Sequence, residues 1–188
     1  MSFRTDLGEV TEALAVQGRR VLVAAILAEA EVARDAIVIA APSVQQARQT
    51  LDTIRAYVEG RATEEDCERQ RTFLTTSAEF SQAAHNVETQ EGLYRYQKAC
   101  AALAMLATNG YSLNAIWAIE DLVEFWHAWT KPAKAVTQRG MLRRLHACLD
   151  AALQDAALQN AAPPALPIEA IEARLRPSTL ASRTYSLC

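Results

Sequence analysis

The sequence predicts an all-α protein: a single-domain bundle of about six to seven helices, with a Pro-rich linker and a short C-terminal segment. Three observations predict it. Between Asp6 and Gln159 only two prolines occur, Pro42 and Pro132. About one residue in five is Ala, and Leu, Glu, Gln and Arg supply much of the rest, a composition of strong helix formers. Apolar residues then recur at three-four spacing through most of the chain, the mark of a helix with one buried face. At 188 residues a chain buries roughly 70 % of its extended surface on folding. Residues 1–160 are therefore expected to hold a core of their own, and 161–188 to form a Pro-containing segment that carries one short helix and is mobile in part.

The first helical stretch runs from about Asp6 toward Ala40, carried by Leu7, Val10, Leu14, Val21, Leu22, Ile26 and Val32. Gly18, before Arg19 and Arg20, is where it breaks. Ile37-Val38-Ile39 reads equally as a short buried strand, and its helical neighbours decide for helix. Pro42 stops the chain, and Ser43 with Gln46 has the spacing of a capping box. Val44, Ala47, Leu51, Ile54 and Val58 form the next stripe, closed by Gly60. Thr63 starts a third helix with Glu64, Glu65 and Asp66 in its first turn, where carboxylates oppose the positive end of the helix dipole. That helix is expected to continue to about His85. A turn over Asn86–Thr89 leads into a fourth helix through Leu93, Tyr96, Cys100, Leu103 and Leu106, ended by Asn109-Gly110. Ser112 is the expected cap of a fifth helix, which holds all three tryptophans, Trp117, Trp126 and Trp129. Lys131-Pro132 closes it, and a sixth runs to about Gln159.

Bulk properties narrow the function. A formal charge of −3 does not suit a dominant nucleic-acid or anionic-membrane role, where a basic domain is expected. Val21–Ala41 is the most apolar stretch, but Glu29, Glu31, Arg34 and Asp35 interrupt it, so no membrane span is expected. No signal peptide is visible. The four cysteines, Cys67, Cys100, Cys148 and Cys188, form no CxxC pair, and three fall in helical patterns. They read as reduced structural thiols of a cytoplasmic protein.

Candidate chemistry is sparse. Glu124-Phe125-Trp126-His127 is the one Glu-x-x-His, the ligand pair of di-metal bundles, but no second copy or facing carboxylates accompany it. No catalytic residue, metal or cofactor is expected, and an enzyme is disfavoured. Lys131, Lys134, Arg139, Arg143 and Arg144 make a basic run, read either as a phosphate contact or as a solvated face pairing with Glu120, Asp121 and Glu124. Charge is uneven: residues 1–90 hold 9 basic and 14 acidic side chains, and 91–188 hold 10 and 8. An acidic half could steer a basic partner. The aromatic residues of the fifth helix lie on more than one face, which fits a central helix or one that also meets a partner.

Asp52-Thr53-Ile54-Arg55-Ala56-Tyr57-Val58-Glu59-Gly60-Arg61-Ala62-Thr63, followed by a long Ala- and His-containing helix, resembles a helical family of bacterial polymorphic-toxin immunity proteins. The likeness covers about 50 residues, and the Trp-rich helix and the tail have no counterpart in it. It implies a protein that binds and neutralises a cognate toxin without catalysis, and it carries over no site residue. The first expectation is thus a non-catalytic interaction module of immunity or adaptor type, binding a partner protein (a toxin or effector) and open to self-association. Glu64, Glu65, Asp66, Trp126 and Trp129 are its candidate contact residues. The alternative is a small-ligand-binding bundle with a pocket between the Trp helix and a Tyr94–Tyr96 turn, and behind it a metal-binding bundle enzyme at Glu124 and His127.

Overall fold

The computed structural model describes residues 2–37 and 44–158. Among them are eight α-helices and no strand: α1 (Phe3–Gln17), α2 (Arg19–Ile37), α3 (Gln45–Val58), α4 (Glu64–Thr75), α5 (Ala78–His85), α6 (Val87–Asn109), α7 (Ser112–Thr130) and α8 (Lys134–Leu158). One buried apolar cluster draws on all of these helices except α5, whose Phe80 packs against its edge. The expected capping box at Ser43, the run beyond Ile37, the Pro linker and the segment 161–188 with Cys188 lie outside the described residues.

The additional helices come from two breaks. Gly18 ends α1 as expected, with a backbone φ of 128°. The expected third helix is two: Thr76 and Ser77 interrupt it, and the Ser77 hydroxyl accepts from the Phe80 amide at 3.1 Å to start α5. Ser beside Thr offers the backbone side-chain partners of its own, so a pattern that stays helical in hydrophobicity is cut by local hydrogen bonding. The expected turn at Asn86–Thr89 is instead a single cap, Asn86, followed by a helix with a kink at Gln90 (φ −126°). Ser112 is the first residue of α7 and not its cap. The polar lock there is Asn109, whose Oδ1 accepts from the Tyr111 amide at 3.1 Å and the Asn114 side chain at 2.8 Å.

The central element is α2, in which every residue from Val21 to Glu31 is buried. It packs on α1, α3, α6, α7 and α8. A helix surrounded on all sides has no solvated face, which accounts for its Ala-rich sequence: small side chains let five neighbours approach. Its two buried carboxylates are both paired. Glu29 receives a bidentate bond from Arg144 of α8 at 2.6 and 2.7 Å, and Glu31 one from Arg55 of α3. The Trp-rich helix α7 carries apolar residues on more than one face, as expected, but it is not the central element. α7 buries one face through Ala115, Ala118, Ile119, Leu122 and Phe125, while Leu113, Trp117 and Trp129 stay exposed.

α6 and α7 are joined by Gly110-Tyr111 and form the most extensive helix pair. They run antiparallel, since Tyr96 near the start of α6 meets Phe125 near the end of α7 at 5.9 Å. Gly110 closes α6 at φ 73°, where a Cβ would stand 2.8 Å from Arg19 Nε. Arg19 lies over this end, donating to the Thr108 carbonyl at 3.3 Å and pairing with Glu64. Gly110→Ala meets both a left-handed backbone and this guanidinium. It is expected to destabilise by about 1 kcal/mol or more, read as a lower urea midpoint at unchanged slope.

Candidate functional site

The sequence-predicted contact residues divide by location. Thr63 and Asp66 cap α4 reciprocally, the hydroxyl accepting from the Asp66 amide at 3.2 Å and the carboxylate from the Thr63 amide at 2.9 Å. The Thr63 amide and hydroxyl together hold Asp66 below the usual carboxylate range. Glu64 is engaged by Arg19. Glu64 and Glu65 line a shallow hollow of about 750 Å³ with Arg19, Arg20 and Tyr57. Trp126 sits edge-on to Phe125 at 5.0 Å, and Trp129 stacks on it at 5.7 Å while remaining 37 % exposed. Thr63→Ala removes one half of the cap and is expected to cost about 1 kcal/mol, measured by thermal unfolding.

The basic run disperses. Lys131 takes a left-handed backbone (φ 50°) and closes α7, its amide donating to the His127 carbonyl. Lys134 pairs with Glu124, and Arg144 turns inward to Glu29, which holds its guanidinium above the ordinary pKa. Arg139 and Arg143 remain exposed on α8. Of the acidic edge, only Glu124 meets this run: Asp121 takes Arg95 and Lys98 of α6 at 3.1 and 3.5 Å, and Glu120 takes Arg4 at 3.5 Å. Glu124 is taken by Lys134, and His127 Nδ1 lies 3.3 Å from the Pro132 carbonyl oxygen. Among the described residues no three His, Cys, Asp or Glu side chains are grouped to hold a metal.

Cys67, Cys100 and Cys148 are buried and unpaired. Burial pushes their pKa from the ordinary 9.0 up to about 11, 12 and 12 respectively. Thiols held neutral are poor nucleophiles, so these three are expected to resist a thiol reagent until the protein unfolds. The unfolded chain gives up these protons first as pH rises. The stabilisation is therefore complete below about pH 9 and is lost progressively toward pH 11 to 12, measured as a falling urea midpoint.

The feature that sequence reading did not place is a cleft of about 560 Å³ on the outer face of the α6–α7 pair. Its floor is Ala101, Ala102 and Met105 of α6 with Val123 of α7; Trp117 (42 % exposed), Phe3 and Phe80 stand at its sides. Arg95 and Lys98 line the α6 wall, Glu120, Asp121 and Glu124 the α7 wall, and Lys134 and Gln138 of α8 one end. A pocket near a Tyr94–Tyr96 turn was expected, but Tyr94–Tyr96 is helix. Tyr96 points into the core, fully buried, and Tyr94 packs on Phe80 at 5.7 Å. The wall residue is Arg95 between them. Helical phase could have indicated it: Arg95, Lys98, Ala102 and Met105 keep a three-four spacing opposite the Tyr96–Cys100–Leu103 stripe.

Among the described residues no helix is long and apolar enough to cross a membrane. No family model, curated protein or solved structure matches this chain.

Proposed function

We propose that this chain is a non-catalytic protein–protein interaction module of immunity or adaptor type, which presents the α6–α7 cleft to a partner protein. Trp117 carries the proposal. It is a large aromatic side chain held 42 % exposed beside an apolar floor and inside a charged rim. Binding hot spots have this anatomy: an aromatic anchor, an apolar centre and polar surroundings that exclude water. Tyr111 and Leu113, also exposed, extend the apolar surface along the start of α7. The hollow beside Glu64 and Glu65 offers as its aromatic only the buried Tyr57, so the cleft is favoured over the acidic turn as the contact surface. Three unpaired buried thiols fit a reducing compartment such as the cytoplasm.

A second reading, a small-ligand-binding bundle, is favoured by the cleft volume, which lies within the usual range for ligand pockets.

The test is affinity capture of the full chain from its native host cells, in parallel with Trp117→Ala. One protein retained in stoichiometric amount by the parent and lost by the variant is the expected result. A second copy of this chain as the retained species would redirect the reading to self-association. A small molecule released from the purified protein, with no protein partner, would favour the second reading.

A further inference from the structure

We infer that the cleft is a groove for two to three turns of a partner's amphipathic helix, with acidic side chains on one flank of that helix and basic side chains on the other. The inference rests on the interaction reading above and specifies its mode.

Length, floor and walls each point the same way. Along α6 the lining runs from Arg95 to Met105, eleven residues or about 15 Å, and along α7 from Trp117 to Glu124, about 10 Å. That length holds two to three helical turns. Ala101 and Ala102 at the floor project only a methyl group, so a third helix can settle close over the α6–α7 seam, as small contact residues allow. Met105 is unbranched and adapts to the side chain laid against it. Trp117 and Phe80 supply flat surfaces for an apolar stripe at i, i+3, i+4 and i+7.

The walls differ in sign. Arg95 and Lys98 are on α6, and Glu120 and Glu124 on α7. Each is partly exposed while paired within the fold, Arg95 with both Glu91 and Asp121, Lys98 with Asp121, Glu120 with Arg4 and Glu124 with Lys134, which fixes the charged groups in place without removing them from solvent. A helix with carboxylates toward α6 and cations toward α7 meets opposite charge on both sides. A helix with like charge on both flanks meets repulsion on one side whichever way it lies. Exchanging the two flanks only reverses the direction of the bound helix, so the informative controls are uniform flanks.

The test uses three labelled synthetic helical peptides sharing one Leu/Ala stripe, with Glu/Lys, all-Glu or all-Lys flanks, titrated by fluorescence anisotropy against the full-length protein. The mixed-flank peptide is expected to bind tenfold or more tightly than either uniform one. In a protein labelled with 13C-methyl methionine, it is expected to shift the Met105 resonance while leaving buried Met141 unmoved. Lys98→Glu is expected to move the preference toward the all-Lys peptide. Glu120→Lys is expected to move it toward the all-Glu peptide, with circular dichroism checking that both variants keep their helices. Equal affinities, no binding, or a Met105 signal unchanged by the mixed peptide would overturn the inference. So would a protein that binds the mixed peptide only after residues 159–188 are removed, since the chain's own segment would then be the occupant. Partner capture that still depends on Trp117 in the face of any of these results would leave the interaction reading standing without the helix groove.

Discussion

Arg144→Ala is expected to lower stability by about 3 kcal/mol, one of the two largest effects of any single substitution considered for this protein. Arg144 is the bidentate partner of Glu29, a carboxylate only 2 % exposed in the middle of the central helix. Removing the guanidinium leaves that charge buried and unpaired, which costs about 3–5 kcal/mol in comparable sites. The lower end applies because Arg144 itself keeps about a third of its surface in solvent. Replacing both partners by Leu removes the charge together with its counterion, so Glu29→Leu/Arg144→Leu is expected to recover most of the loss. Urea denaturation followed by far-UV circular dichroism separates the outcomes. A small loss in the single variant, or an equal loss in the double, would mean that Glu29 is not held by this pair.

Phe125→Ala is expected to cost about 3–5 kcal/mol, the range for removing a fully buried aromatic ring. Phe125 is fully buried and in ring contact with Tyr96, Trp126 and Trp129. The loss should appear as a lower urea midpoint together with a red-shifted tryptophan emission as Trp126 and Trp129 gain water. Phe73→Ala is the control: that ring is 55 % exposed, and its removal is expected to stay within about 0.5 kcal/mol.

Helix identity was legible wherever apolar spacing and glycine agreed, as at Gly18, Gly60 and Asn109-Gly110. It failed at Thr76-Ser77, where side-chain hydroxyls cut a helix that the apolar pattern carries through. It also failed at Ser112, where the residue expected to cap yields to Asn109, five positions before the Asn114 amide it binds. The aromatic residues of the Trp-rich helix, on more than one face, fit either a central helix or one that also meets a partner, and it is not the central one. Burial falls to α2, which the sequence marks as its most apolar stretch and whose Ala, Val and Leu run allows close packing. The site was less legible still. Glu29 and Arg144 are 115 positions apart, and nothing local links them. Arg95 and Lys98 read as ordinary surface charges until α7 brings Glu120 and Trp117 across from them.

The measurement that bears most directly on the central claim is the affinity of the captured partner for Trp117→Ala and for Phe73→Ala, by calorimetry against the parent chain. Both side chains are exposed and aromatic, but only Trp117 borders the cleft. A loss of about thirtyfold or more for Trp117→Ala, the scale of a hot-spot residue, with Phe73→Ala within about threefold of the parent, is the predicted result. Equal affinity for all three proteins would contradict the claim and place the partner on another face of the bundle.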